Sequence, residues 1–393
     1  MEEKIFEKIK IKVNANLDKF VIPVIQDEDN YFPDFLKTKL DEYIEFYKAN
    51  FLSCVDEYIE FYKANFLSCV DESVPFVNDE KNVIITKIKT FSEELLGTVN
   101  KYFEGDIFGA TETFNKALNG IFFNDLYQIE PYVLKKNHSF YRARKNENKI
   151  FIRKEELFHM KFELRHLVST NRYSVPGFPA LYLADSTYTC WEEFERYKLR
   201  DLYFSRFENV EDLNVINIER IEDLLNELEE PGDSQRKIPL LLRYFVLFPL
   251  AISCSIKVKH SSAIFKPEYI ISQLLLQLVS KEGKIDGIKF PSTKIDYSKL
   301  SNVGGYNYVF PVKNISKKGY CEVLTKKFHC TEPTSLELEE ILYNDDSGYF
   351  SDPPPDKGDL ELISGVKSPY SYTSFGKIEK SLSFRNIEKV CDK

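Results

Sequence analysis

Along the first 137 residues apolar positions recur three and four residues apart, the spacing that gathers side chains on one side of an α-helix. Three stretches carry the pattern, 34–72, 81–103 and 110–127, and they predict a small helical domain over 1–137. From Ser139 the period shortens. Short runs rich in β-branched and aromatic residues at 139–144, 149–153, 180–184, 214–218, 252–258, 287–290 and 307–312 predict strands. Between them 190–199, 219–229 and 268–281 read as helices, so the fold class expected of 138–312 is α+β. Residues 229–234, with Pro231 and Gly232, read as a turn between helices. After about residue 330, Asn344 to Gly348 and Pro353-Pro354-Pro355 predict a loosely structured extension over 313–393, with one short helix at 335–343.

The first predicted helix contains a verbatim repeat. Residues 41–55 recur without change as 56–70. One period is too short for a solenoid, which stacks at least three units. Apolar residues at 43, 44, 47, 51, 54, 55, 58 and 59 predict one continuous amphipathic helix across both copies. Fifteen residues at about 100° each overshoot four turns by about 60°, so the second copy presents a rotated stripe. The expectation is an in-frame duplication absorbed by an exposed helix.

Composition narrows the class. The 393 residues carry 53 Lys and Arg against 62 Asp and Glu, a formal charge of −9, with 43% hydrophobic and 15% aromatic side chains. That is enough apolar material for a large core, and an acidic balance ill suited to coating a nucleic-acid backbone. The most apolar run, 240–252, is interrupted by Arg243 and Pro249 and predicts a buried element rather than a membrane span. Met1-Glu2-Glu3-Lys4 has neither the basic region nor the apolar run of a secretory leader, and the seven cysteines form no CxxC pair. A cytoplasmic protein is expected. Cys321, His329 and Cys330 match no zinc-ligand spacing, so no metal is expected.

No phosphate-binding glycine loop, zinc-protease helix motif or nucleophile elbow occurs. What remains is a set of polar residues at strand ends and turns. Phe140-Tyr141-Arg142-Ala143-Arg144 opens the α+β region, and the turn Asn171 to Pro179 leads into Leu181-Tyr182-Leu183-Ala184. Glu193 follows Tyr182 by eleven residues, and Asp286-Gly287-Ile288-Lys289-Phe290-Pro291-Ser292 comes much later. In this order and spacing the set resembles the RES domain, named after its Arg, Glu and Ser. The longer stretches 249–259, 265–277 and 285–293 resemble the larger members of that family.

The resemblance covers 138–312 and implies an ADP-ribosyltransferase-like fold whose activity is destruction of NAD+. It also implies a toxin of a bacterial toxin–antitoxin pair, with an Xre-like repressor as cognate partner. Residue by residue it places the catalytic set on Arg142, Tyr182, Glu193 and Ser292, and dinucleotide binding on Arg142, Arg172 and Tyr182. Two positions depart from or blur the pattern. Asn171 stands where the family has Gly, a mild change because Asn tolerates left-handed backbone. Glu192 adjoins Glu193, and only the count from Tyr182 selects between them.

These residue types suit the implied chemistry. Breaking the nicotinamide–ribose bond passes through an oxocarbenium-like sugar, which a carboxylate such as Glu193 stabilises. Guanidinium offers a pyrophosphate bidentate charge-assisted bonds, the role of Arg142 with Arg172 helping. Tyr182 supplies an aromatic wall with a hydroxyl, and Ser292 a rotatable hydroxyl to orient the glutamate or a phosphate. Taken singly each has an ordinary structural role, and for Arg144, Arg153, Arg165 and Glu268 that role is the expectation.

The expected function is NAD+ cleavage with water or inorganic phosphate as acceptor. Transfer of ADP-ribose to a macromolecule is an alternative. So is a catalytically silent binding or interaction module, the reading that wins if Arg142, Glu193 and Ser292 line no common pocket. The N-terminal helices could dock a neutralising partner, form an oligomer or gate the cleft, and their residues do not choose.

Overall fold

In the computed structural model the described residues are 2–26, 31–66, 82–122, 131–147, 152–229, 237–342 and 357–391. Five helices come first: α1 (Glu2–Asn14), α2 (Phe32–Asn50), α3 (Leu52–Phe66), α4 (Val83–Phe103) and α5 (Ile107–Phe122). Then follow β1 (Tyr132–Leu134), β2 (Ser139–Lys145), β3 (Ala180–Ala184), α6 (Thr187–Glu193), β4 (Leu202–Asn209) and β5 (Leu213–Asn217). Three helices interrupt the strands, α7 (Ile221–Glu229), α8 (Lys237–Ser255) and α9 (Ile270–Lys281). The chain closes with β6 (Gly287–Pro291), β7 (Leu300–Ser301), β8 (Tyr306–Pro311), α10 (Glu322–Lys327), β9 (Phe328–Cys330), β10 (Thr334–Ser335), α11 (Leu336–Leu342), β11 (Asp359–Ile363), β12 (Val366–Pro369), α12 (Ser374–Ser383) and β13 (Glu388–Lys389). The fold is mixed, a helical N-terminal region followed by a curled mixed sheet, as the α+β expectation requires.

The chain divides into two units, and both are discontinuous. The helical unit joins Met1–Glu130 to Ile218–Leu275; the sheet unit joins Pro131–Asn217 to Leu276–Lys393. This differs from the expected boundaries at 137 and 312. The reason is packing: α8 lies against α1, α2 and α4, so its apolar residues complete the helical core. Phe20 is ringed there by Tyr43, Phe46, Phe51, Phe245 and Phe248, with centroids 5.3–6.4 Å away. The expected strand at 252–258 is overruled by the same packing, because α8 continues to Ser255 despite Pro249. Ile256 then makes one isolated bridge to Val24. By length and composition α8 could cross a membrane, but 78% of its apolar window is buried.

The duplicated segment is not one helix. α2 ends at Asn50 and α3 starts at Leu52, with Phe51 completely buried against Tyr47 and Phe245 at the break. Nor is the second copy exposed: Tyr58 and Ile59, like their counterparts Tyr43 and Ile44, are buried. A bend at Phe51 turns the rotated stripe back towards apolar partners, α1 among them. Residues 67–70 of the second copy lie outside the described residues, as do most of the turn predicted at 229–234, 149–151 of one predicted strand, and the loops at 344–348 and 353–355.

The large sheet runs β1-β5-β6-β8-β3-β2-β4-β9-β13, with β10 also on β4; β12, β11 and β7 form a small second sheet. Sequence periodicity missed β4, whose seven-residue register with β2 makes it central. The segment after 330 is also not loose where described: β10, which pairs β4, β13, which pairs β9, and α12 all belong to the sheet unit. Ile378 and Leu382 of α12 are completely buried against Tyr141, Leu202 and Phe204. The short helix expected at 335–343 is α11.

Candidate functional site

β2 and β3 are paired only at Tyr141↔Ala184. β2 instead follows β4, while β3 follows β8 through five residue pairs. The two strands therefore part beyond Tyr141, and a cleft of about 1160 Å³ opens there, lined by residues 142–145 of β2, by Ala180 and Tyr182 of β3 and by Pro179 just before it. Its charged lining is Arg142, Arg144, Lys145, Arg153 and Lys161 against Glu155 and Glu156. In a chain of charge −9 this is a locally basic surface.

Arg142 is half-buried and donates from Nη1 to the main-chain oxygen of Tyr182 at 2.6 Å. Burial brings its guanidinium down to about 10, which leaves it charged at neutral pH. The Tyr182 hydroxyl meets Ser174 Oγ at 2.8 Å, and both side chains face the cleft. Ser174 is reached because Asn171 and Ser174 bridge across their turn and Tyr173 packs on Phe290 at 4.2 Å. Arg144 and Arg153, expected to be ordinary surface residues, line the cleft beside Arg142.

Glu193 is the last residue of α6. Ser292 Oγ donates to its Oε1 at 2.6 Å, and Asn307 Nδ2 donates to the same oxygen at 2.7 Å. Ser292 is fully buried and its hydroxyl also accepts the Lys294 N–H at 3.2 Å, which fixes the direction of its proton towards Glu193. Its main chain is tied to the oxygen of Gly305 at 2.9 Å. Gly305 has φ +96°, and a Cβ there would lie 2.8 Å from Tyr297, so a side chain would disturb this anchor. Glu193 Oε2 accepts no hydrogen bond from any described residue. One carboxylate oxygen is thus pinned, and the other is available.

The adjacent carboxylate does different work. Glu192 is buried and holds Arg196 through both oxygens at 2.9–3.2 Å. Glu195 and Arg196 both have positive φ, a strained reversal that ends α6 directly after Glu193 and cuts short the helix predicted to 199. The Lys294 ammonium donates to the Glu193 main-chain oxygen at 2.7 Å and secures the same end.

The sequence-derived set therefore falls into two groups. Arg142 and Tyr182 line the cleft. Glu193 and Ser292 touch each other but are not among its lining residues, although Phe194, next to Glu193, is. Arg172 was expected to help hold a pyrophosphate; it is buried, outside the cleft lining, and donates to Thr293 Oγ1 at 3.3 Å. Its position beside Ser292 follows from the turn packing on β6. Sequence reasoning missed Asn307. A lone amide in the otherwise apolar Tyr306–Pro311 strand was the available signal. Among the described residues no group of three or more His, Cys, Asp or Glu side chains is placed to hold a metal.

Fold and site together define a mixed α/β protein with a basic cleft at a split in its sheet and a carboxylate held close by. The chain is 32% identical over 321 residues to a Bacillus subtilis (strain 168) protein named Putative toxin YopC, covering 78% of this chain and 71% of that protein. It belongs to the family of that protein. No family model matches the chain, and no solved structure does.

Proposed function

We propose that this protein is a toxin that cleaves NAD+ at the nicotinamide–ribose bond. The observation that carries the reading is the Glu193 carboxylate, pinned at Oε1 by Ser292 and Asn307 with Oε2 available for a ribose hydroxyl or the developing cation. The basic cleft entered from Arg142 suits the pyrophosphate, and Tyr182 offers a ring to the nicotinamide or its ribose. The C1′–N bond breaks with its electron pair leaving on nicotinamide, and water or inorganic phosphate adds to C1′. The relative's name supports the toxin role. The resemblance to the RES domain supports NAD+ as substrate and an Xre-like antitoxin as partner.

The test is NAD+ turnover by the purified protein, with and without phosphate, read by product identity. Free nicotinamide is expected, and Glu193→Gln should slow its release by about a hundredfold or more. An unchanged rate in that variant overturns the assignment. A second reading, a nucleotide-binding module without catalysis, meets the condition set for it from the sequence, since Glu193 and Ser292 are absent from the lining of the Arg142 cleft; the cleaving reading is supported against it by the Glu193–Ser292–Asn307 geometry and by Phe194, which lines the cleft next to Glu193. Saturable NAD+ binding without nicotinamide release would select it. Labelled adenylate on a macromolecule would select ADP-ribose transfer.

A further inference from the structure

The RES resemblance stops at 312 and gives the C-terminal segment no work. In the structure that segment reaches the base of the helix carrying Glu193. α6 has only seven residues, so its position depends on what holds its ends. The first-turn N–H groups are all accounted for. Thr187 N–H goes to Glu379 Oε1 at 2.7 Å, Tyr188 N–H to the Tyr370 hydroxyl at 3.4 Å, Thr189 N–H to Ser186 Oγ at 3.0 Å, and Cys190 N–H to the Ser186 main-chain oxygen at 3.1 Å. Two of these four acceptors belong to the segment after residue 357.

Glu379 is 6% exposed and fully engaged. Its Oε1 also accepts the Tyr370 hydroxyl at 2.6 Å and the Thr187 hydroxyl at 3.1 Å, and its Oε2 meets the Lys357 ammonium at 2.7 Å. Lys357 donates onward to the main-chain oxygen of Asp185, two residues before α6. A buried carboxylate compensated in this way sits where the partial positive charge of a helix start favours it. Beside the polar contacts, Phe375 of α12 packs on Tyr188 at 5.4 Å and on Trp191 at 5.3 Å.

We propose that Glu379 is a positioning residue for Glu193: the Glu379–Tyr370–Lys357 brace fixes where α6 stands, and so where its last carboxylate meets Ser292 and Asn307. The inference rests on the NAD+-cleaving reading for its kinetic consequence. Its structural consequence is independent of that reading, because Trp191 is the sole tryptophan and sits on α6 against α12.

The experiment compares Glu379→Ala, Glu379→Gln and Tyr370→Phe in the full chain, with urea unfolding to establish that each is folded. Two readouts follow: acrylamide quenching of Trp191, and steady-state NAD+ turnover. In Glu379→Ala quenching should rise, and kcat should fall between about tenfold and a hundredfold with KM within about twofold, the signature of a displaced reacting group. Glu379→Gln retains an acceptor for the Thr187 N–H and should recover most of the rate. A folded alanine variant with wild-type quenching, or with raised quenching and unchanged kcat, overturns the proposal. Should the alanine variant not fold, Tyr370→Phe decides: a lowered kcat at constant KM supports the brace, and unchanged kcat and quenching overturn it. If the wild type releases no nicotinamide, the functional reading falls by itself, and the brace stands or falls on Trp191 quenching.

Discussion

Glu192 and Glu193 are neighbours with different fates, because one step along a helix turns a side chain by about 100°. Glu192 turns inward to Arg196 while Glu193 meets Ser292, a difference that adjacency in the sequence does not show. His159 makes a second single-residue case. Its ring is 1% exposed, with Nδ1 against the Met160 oxygen at 2.8 Å and Nε2 accepting the Cys321 N–H at 2.9 Å, so the neutral tautomer protonated at Nδ1 fits both bonds. Burial lowers its pKa from 6.5 to about 4. The unfolded chain therefore takes up this proton first as pH falls, and the stability His159 contributes is complete above 6.5, declines from there to about 4, and is lost below. The shift corresponds to about 3 kcal/mol. Urea midpoints measured from pH 7 to 4 should fall, and His159→Asn should flatten part of that slope, with His138, also lowered to about 4, supplying another part.

At the scale of elements, the break between α2 and α3 shows tertiary contacts overriding a local pattern. Heptad-like spacing continues unbroken through Phe51, yet that side chain is drawn into the aromatic cluster around Phe20 and Phe245, and the helix bends to let it enter. The duplicate is thus part of the core. Deleting 56–70 removes Tyr58 and Ile59 and should destabilise the helical unit by roughly 4 kcal/mol, on about 1.5–3 kcal/mol for each buried side chain. Thermal unfolding should show the drop, while NAD+ turnover per folded molecule should stay at the wild-type level. β4 was missed for a related reason: its buried positions include Ser205 and Asn209, polar residues that interrupt the apolar alternation and are satisfied by Thr331 and by the main chain near Lys135.

For the whole molecule, the chain order conceals its division. Each unit is assembled from two separated stretches, so composition shifts along the sequence mark element changes rather than unit boundaries. The final 35 described residues matter most here, since Ile378, Leu382 and Val390 are all completely buried in the sheet unit. Truncation after Leu342 removes these three and should cost more than about 5 kcal/mol, comparable to the stability of an ordinary domain. Loss of near-ultraviolet dichroism and of slow amide exchange in β2 and β4 is the expected result; a truncated chain with native protection would show the segment to be dispensable.

The sequence alone determined the mixed fold class, the helices α4, α5, α7, α9 and α11, and the strands β2, β3, β5, β6 and β8. These follow from local periodicity, which is written in neighbouring residues. Only the tertiary structure decided that α8 joins the N-terminal helices, that Asn307 shares Glu193 with Ser292, that Arg172 turns to Thr293, and that Glu379 supports α6 from 186 residues further along than Glu193. Each of those is a contact between residues far apart in sequence. It is set by which buried polar groups find partners and which apolar faces need covering once the elements are assembled.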